Sequence, residues 1–207
     1  MSAKGEIVNI NRVGGKLCLD FVNTVNWRGR QERGEYLNDY RDLLVWSRHV
    51  GVLSESEYQK LEEASHNNRE EAEKVYRRAI EYREAIYRAF SSVASRGEPY
   101  PSDIQRINEE LSRASRHSRI LKTDTGYSLG FDDEPSLDRM LWPISSSVTD
   151  LLTSSNQNRI KRCGSEECGW LFYDTSRNKS RKWCDMKECG NRMKAKRHYS
   201  RATAKPL

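Results

Sequence analysis

The sequence predicts a mainly helical protein that ends in a small cysteine-rich module. Apolar residues recur at helical spacing through much of the first 158 residues, and the longest such pattern runs from Arg69 to Ala94. Four of the five cysteines, in contrast, lie between Cys163 and Cys189. We therefore expect two domains, residues 1–158 and residues 159–207, with the boundary in the polar stretch before Arg159.

Capping signals mark the ends of several helices expected in the first domain. Residues 35–50 carry apolar side chains at helical spacing and are followed by Gly51, a typical residue just beyond a helix. Ser54 and Glu57 form a capping-box pattern that predicts the start of the next helix. Ser102 predicts a further helix start, because its hydroxyl could cap the first turn.

Three other segments complete the prediction for this domain. Residues 118–131 alternate around Asp124-Thr125-Gly126 and predict a β-hairpin, whereas residues 137–152 return to helical spacing. Residues 17–27 form an apolar stretch whose periodicity fits either a short buried strand or the first helix. Cys18 lies in that stretch and is expected to be a small core residue.

Composition limits the class of protein. Hydrophobic residues make up 36% and charged residues 32% of the 207 positions. No apolar run approaches the roughly 20 residues that cross a bilayer, and the first residues lack the apolar stretch of a signal peptide. We therefore expect a cytoplasmic protein without a membrane partner.

Positive charge is concentrated in the second domain. Residues 159–207 contain 14 Lys and Arg against 5 Asp and Glu, whereas residues 1–158 contain 22 against 25. A basic module on a mildly acidic body indicates a polyanionic partner, usually nucleic acid. A solvated surface that serves solubility is the alternative.

The clustered cysteines have the spacing of a metal site. Four residues separate Cys163 from Cys168 and Cys184 from Cys189, and fifteen residues lie between the two pairs. Four thiolates close the tetrahedral shell of Zn²⁺ and leave no position for water, so the pattern predicts one structural zinc ion. Free thiols, disulfides and an iron–sulfur cluster are the alternatives.

Basic and amide side chains near the cysteines are candidates for nucleic-acid contact. A helix is expected from Asp185 onward, and a helix that leaves a zinc site commonly enters the major groove. Asn191 and Arg192 could hydrogen-bond base edges or could instead support the zinc site, and both interpretations stay open. The candidates are Arg177, Lys179, Arg181, Lys182, Asn191, Arg192, Lys194, Lys196, Arg197 and Arg201.

The cysteine-rich stretch also resembles a known family. CGSEECGWLFYDTSRNKSRKWCDMKECGNR, from Cys163 to Arg192, is similar to the CGNR zinc finger, which is named for the run that ends here at Arg192. LCLDFVNTVNWR (17–28) and YREAIYRAF (82–90) resemble the ABATE domain, which accompanies that finger in bacterial proteins. The resemblance implies a stress-induced transcription regulator, with a helical regulatory domain and a zinc-ribbon or treble-clef-like finger that binds DNA.

Arg83 is a charged residue on the apolar stripe of the longest expected helix. An isolated buried charge is unfavourable, so Arg83 needs a partner, and Asp20 is the natural candidate. The alternative is a pocket in which Asp20, Asn23, Trp27 and Arg83 hold a small anionic or polar ligand. This alternative is motivated by the several polar residues that fall at otherwise apolar positions.

The combined prediction is a zinc-dependent, DNA-binding transcription regulator that is not an enzyme, with ligand control as a secondary hypothesis. An adaptor that binds RNA or another protein is the alternative, and a preference for one duplex sequence would distinguish the two. A homodimer would suit paired half-sites, but the sequence identifies no dimer interface.

Overall fold

The computed structural model of the chain describes residue 7 and residues 10–203, with side chains through residue 200. Its helices are α1 (Leu17–Val22), α2 (Tyr40–His49), α3 (Glu55–Asn67), α4 (Arg69–Ala94), α5 (Pro101–Arg116), α6 (Leu141–Leu152) and α7 (Asn191–Thr203). Its strands form three antiparallel pairs: β1 (Val25–Asn26) with β2 (Gly34–Glu35), β3 (Ser118–Thr123) with β4 (Gly126–Phe131), and β5 (Ile160–Arg162) with β6 (Leu171–Tyr173). The mainly helical fold class is confirmed.

Helix α4 is the centre of the fold. Asn68 caps its N terminus by accepting a hydrogen bond from the Glu71 amide, and Ala79, Ile86 and Phe90 of its apolar stripe are completely buried. The helix packs against α1, α2, α3, α5 and α6, and it also contacts β5 and β6. One hydrophobic core therefore extends from the helical part of the chain into the cysteine-rich part.

Helices α2 and α3 follow their capping signals. Helix α2 begins at Tyr40 and not at Glu35, because Asp39 caps it while Glu35 belongs to β2. Helix α3 has the predicted capping box, in which the Ser54 and Glu57 side chains each accept a hydrogen bond from the other's backbone amide.

The starts of α5 and α6 differ from the prediction. Helix α5 begins at Pro101 after Tyr100, so Ser102 lies within the first turn and is not the cap. Helix α6 begins at Leu141, because Leu137 lies in a preceding turn where its carbonyl accepts a hydrogen bond from Tyr40 (2.7 Å). Within the described residues, no helix combines the length and the apolar character needed to cross a membrane.

The ambiguous apolar segment is a helix followed by a short strand. Helix α1 ends at Val22, and β1 starts at Val25 and pairs with β2. Cys18 is fully buried in α1, where its amide donates to Ser147 Oγ (3.1 Å). Burial raises the pKa of its thiol to about 12, so Cys18 is a neutral core residue, as predicted.

The predicted hairpin is present with the expected turn. Thr123 pairs with Gly126 at its tip and Ser118 pairs with Phe131 at its base. Ile120 and Leu129 form a cross-strand pair on an exposed face.

Candidate metal centre and nucleic-acid interface

The first cysteine pair lies on a hairpin. Cys163 follows β5 and Cys168 precedes β6, and the two strands pair directly, with Ile160 opposite Tyr173. The Cys163 amide donates to the Trp170 carbonyl (2.8 Å), which closes the loop between the strands. We call residues 163–168 the first knuckle.

The second cysteine pair opens the last helix. Cys184 is followed by a π-helical turn, Met186–Gly190, that contains Cys189 and leads directly into α7. Asp185 caps this turn by accepting hydrogen bonds from the amides of Lys187 (2.6 Å) and Glu188 (3.4 Å). We call residues 184–189 the second knuckle. A hairpin followed by a helix that carries the second pair at its start is a treble-clef-like arrangement.

The four sulfurs fit one zinc ion. They lie within 4.8 Å of one another, and Cys184 Sγ is 3.6 Å from Cys168 Sγ and from Cys189 Sγ. Zn–S bonds of about 2.3 Å in a tetrahedron place neighbouring sulfurs roughly 3.8 Å apart. All four side chains are buried. The four cysteines can therefore hold a single zinc ion with four thiolates.

The cluster also sets the protonation of the thiols. The pKa of Cys163 is lowered because the thiols of Cys168, Cys184 and Cys189 lie around its sulfur and can donate hydrogen bonds to its thiolate. The pKa of Cys184 is raised because its own thiol is hydrogen-bonded to the other three sulfurs. Zinc binds thiolates, so metal binding must displace the protons that the remaining cysteines retain.

Residues 23–29, here called the joint segment, attach the first knuckle and β6 to the helical domain. The Asn23 side chain forms both possible hydrogen bonds with the backbone of Leu171: Nδ2 donates to the carbonyl (2.8 Å) and Oδ1 accepts from the amide (3.0 Å). Trp170 Nε1 donates to the Val25 carbonyl (2.8 Å). All of these groups are buried, so each lost bond would leave a polar atom without a partner.

The joint segment also runs beside the knuckle backbone. The amides of Arg28 and Gly29 donate to the carbonyls of Cys168 and Glu167, each at 3.1 Å. A side chain at Gly29 would overlap the knuckle backbone. Gly169 has a φ of 70°, and a Cβ on it would lie 2.8 Å from Arg28 Cβ. Both glycines are therefore required for this close approach.

The structure does not bring the four residues of the predicted ligand pocket together. Asp20 accepts a hydrogen bond from the Gly14 amide (2.9 Å), and the Gly14 carbonyl accepts one from the Tyr173 amide (2.8 Å). Asn23 is occupied by β6, and Trp27 lies against the start of α7. Asn23 and Trp27, and Asp20 through Gly14, therefore attach the finger to the helical domain.

The predicted pairing of Arg83 with Asp20 is wrong. Arg83, with 2% exposure, forms two hydrogen bonds with Glu35 (2.7 and 2.6 Å), and it also donates to Thr24 Oγ1 (3.1 Å). Its Nε contacts Glu84, which in turn receives two hydrogen bonds from Arg28. The sequence does not identify Glu35 as the partner of Arg83, because the pattern of residues 35–50 places Glu35 in a helix. It lies instead on β2 and faces α4.

The basic candidates divide into exposed residues and residues with structural partners. Arg181 is in the second class: its Nε donates to the Trp183 carbonyl (2.9 Å), and its guanidinium also bonds the Cys184 carbonyl. Lys179 donates to Asn158 Oδ1 (3.1 Å) and Arg192 is turned toward Trp27. The exposed candidates are Arg177, Lys182, Asn191, Lys194, Lys196 and Arg197. Of these, Lys196 also forms an ion pair with Glu167 (3.9 Å). The Arg201 side chain lies outside the described residues.

Asp174 is a site residue that the sequence did not single out. Its buried carboxylate accepts hydrogen bonds from Lys161 Nζ (2.6 Å), from Ser176 and from the Arg181 amide. Although burial alone would raise its pKa, these hydrogen bonds hold that pKa well below the ordinary value. A carboxylate just after a short strand, before a basic loop, is the signal that could have identified it.

Two family models match the chain. Residues 15–155 match the ABATE family, described as "Putative stress-induced transcription regulator", and residues 159–202 match the CGNR zinc finger. No curated protein matches the sequence. The resemblance noted from the sequence is thus confirmed. The chain belongs to the ABATE family and carries a CGNR zinc finger after its ABATE domain.

Proposed function

We propose that this protein regulates transcription by binding DNA through α7 and the basic loop of residues 177–182. The observation that supports this most is the surface of α7, which lacks acidic residues and exposes Lys194, Lys196 and Arg197. A helix that projects from a metal-stabilised module is a common element for entering the major groove.

The basic loop is held in one conformation. Lys161 Nζ donates to the carbonyls of Lys179 and Arg181 (3.1 Å to the latter), and Asp174 accepts from the Arg181 amide (2.9 Å). Ser176 Oγ accepts a hydrogen bond from the Ser180 amide (3.1 Å). A loop that is already ordered loses little conformational entropy when it binds, which favours its use as a contact surface.

Exposure assigns different roles to the candidates. Lys and Arg side chains that are free at the surface suit phosphate contacts, which position a duplex without reading its sequence. Asn191, exposed at the first residue of α7, suits the bidentate contact that Asn makes with adenine. The protein is proposed not to be an enzyme, because four buried thiolates leave the metal no position for water or substrate.

Binding to genomic fragments tests this proposal. The zinc-loaded protein is compared at near-physiological salt with Cys184→Ser, with the double variant Lys194→Ala/Arg197→Ala, and with Lys122→Ala as a control on the hairpin. We expect a few fragments to be enriched by the wild type and by the control, and to be lost with the other two variants.

Weak binding without preference, seen only at low salt, would contradict the proposal. Capture of RNA in place of duplex DNA would instead support the adaptor function considered above. Enrichment of the same fragments by wild type and by Cys184→Ser would also contradict the proposal, because the zinc finger would not be what selects them.

A further inference from the structure

A small cleft separates the second knuckle from the helical domain. It encloses about 120 Å³, and its lining includes Cys168, Cys184 and Cys189 on one side and Trp27 on another. Arg192, the second residue of α7, also lines it. Arg192 and three of the four zinc-binding cysteines therefore line the same cleft.

Arg192 has an unexplained polar atom in this cleft. Its guanidinium carbon lies 4.2 Å from the centroid of the Trp27 ring, and its Nη1 is buried without a hydrogen-bond partner among the described residues. A buried N–H that lacks an acceptor is unfavourable, and more so when it is charged, so such an atom is expected to have a partner.

The loaded metal centre has the charge that this group requires. Four thiolates and one Zn²⁺ leave two negative charges on the sulfurs in a buried site. Thiolate sulfur accepts hydrogen bonds, and polar groups around a metal centre orient its ligands and adjust its affinity. Glu188, which also lines the cleft, accepts from Asn11 Nδ2 (2.9 Å) and adds to the negative charge. Among the described residues that line the cleft, Arg192 is the only cation.

We propose that Arg192 is a positioning residue of the zinc centre and that Trp27 holds it in place. Arg192 donates a hydrogen bond to the thiolates that line the cleft and offsets their charge. The helical domain thereby supplies part of the surroundings of a metal site whose four ligands all come from the finger. The sequence allowed Arg192 either to contact base edges or to support the zinc site, and this proposal assigns it to the zinc site.

Trp27 is itself fixed in an unusual conformation. Its φ of 53° is rare for an aromatic residue and is held by two hydrogen bonds, from its own amide to Asn26 Oδ1 (2.9 Å) and from the Arg30 amide to its carbonyl (2.8 Å). The Arg30 guanidinium also lies 3.9 Å from the ring centroid and pairs with Glu167 of the first knuckle (2.5 Å). One indole thus connects the first knuckle to the start of α7.

Zinc affinity, measured by competition with a chromophoric chelator, tests this inference without DNA. The proteins compared are wild type, Arg192→Ala, Arg192→Lys, Trp27→Leu and the double variant Arg192→Ala/Trp27→Leu. Arg197→Ala, on the exposed part of the same helix, is the matched control. Circular dichroism of the zinc-saturated proteins shows which variants retain the helical fold.

We expect Arg192→Ala to weaken zinc binding by about 10- to 100-fold, the range found for residues that support metal ligands. Arg192→Lys should restore part of the loss, since it retains the charge, and Arg197→Ala should bind zinc like the wild type. Trp27→Leu should weaken binding less than Arg192→Ala. The double variant should be no weaker than Arg192→Ala alone, because Trp27 acts through Arg192.

Two results would overturn the inference. Wild-type zinc affinity in Arg192→Ala would show that the guanidinium does not support the metal centre. Independent, additive losses from Arg192→Ala and Trp27→Leu would show that Trp27 does not act through Arg192. Failure of the DNA proposal would leave these zinc measurements unchanged, so the two proposals are tested separately.

Discussion

The two knuckles share one metal site but are attached to the rest of the protein in different ways. The first knuckle and β6 are joined to the helical domain by backbone hydrogen bonds from Arg28 and Gly29 and by the buried Asn23 side chain. The second knuckle meets that domain through side chains at its surface, such as Asn11 with Glu188 (2.9 Å). One half of the finger is therefore attached to the helical domain through backbone hydrogen bonds, whereas the other half is attached through side chains and leads into the exposed helix α7.

This difference indicates what the metal does. Strand β6 and the first knuckle keep their place through packing against α4 and through the joint segment. The second knuckle depends on the bond between its sulfurs and the ion that the first knuckle also holds. Zinc thus connects a helix with an exposed basic surface to a rigid core, which is the arrangement that the DNA-binding proposal requires.

Removing the metal should have the largest effect. Structural zinc contributes about 10–16 kcal/mol of apparent folding free energy in small modules. We expect a chelator, or Cys184→Ser, to abolish hydrogen-exchange protection in residues 184–203 and to reduce it less in β6. Helix α4 should remain protected. Equal loss of protection in β6 and α7 would show that the two knuckles are not anchored differently.

Loss of the Asn23 hydrogen bonds to β6 should have the next largest effect on stability. Asn23→Ala removes two buried hydrogen bonds to the Leu171 backbone, so we expect the free energy of unfolding to fall by roughly 2–4 kcal/mol. Asn191→Ala, at an exposed position, is the matched control and should change it by less than about 0.5 kcal/mol. Urea denaturation of the zinc-loaded proteins measures both, and similar values for the two variants would contradict the anchoring role.

Two arginines of the basic loop should separate stability from DNA binding. Arg181 bonds the carbonyls of Trp183 and Cys184 and lies 4.5 Å from the centroid of the Phe172 ring, so Arg181→Ala should lower the free energy of unfolding by about 1–3 kcal/mol. Arg177 is exposed, so Arg177→Ala should leave stability unchanged. It should instead lower the slope of log affinity against log salt by about 1. If Arg177→Ala lowered the stability and Arg181→Ala lowered the salt slope instead, the loop would have to be oriented differently.

The smallest effect concerns Asp20 and pH. Burial raises the pKa of Asp20 to about 6, against which the Gly14 amide and Arg12 act only in part. Since the pKa in the folded state exceeds the ordinary value of 3.8, protonation favours the folded state, and ionisation above pH 6 opposes it. Asp20→Asn should therefore be more stable than the wild type by about 1–2 kcal/mol at pH 8.

That difference should shrink as the pH falls from 6 toward 4, where the wild-type carboxyl becomes protonated. Comparing the two proteins at each pH separates this effect from the weakening of zinc binding in acid, which both share. A difference that stays constant from pH 4 to pH 8 would contradict the raised pKa.

Local patterns predicted the helices and the metal site, because both depend on residues that are close in sequence. The capping box at Ser54 forms between residues three positions apart, and the spacing of the four cysteines is sufficient to indicate that they share one metal ion. Helix starts at Tyr40 and Leu141 were misplaced, because tertiary contacts of Glu35 and Leu137 take those residues out of the helical pattern.

The attachment of the finger could not be predicted, because it depends on pairs of residues that are distant in sequence. Asn23 and Leu171 are separated by 148 positions, and the Leu171 side of the contact is backbone, which has no sequence signal. The sequence shows that Asn23 and Arg83 are polar residues at core positions, but it does not show what they bind. Asn23 binds the finger and Arg83 binds Glu35, and neither binding partner is the ligand that the sequence suggested.

Acetylation of lysines, measured with and without a selected duplex, tests directly whether DNA binds to α7 and the basic loop. We expect Lys182, Lys194 and Lys196 to be protected by DNA, since they are exposed on the basic loop and on α7. Lys60 and Lys122, which are exposed on the helical domain, should react equally in both samples. Protection of Lys122 without protection of Lys194 and Lys196 would place the DNA on the helical domain and contradict DNA binding by the finger.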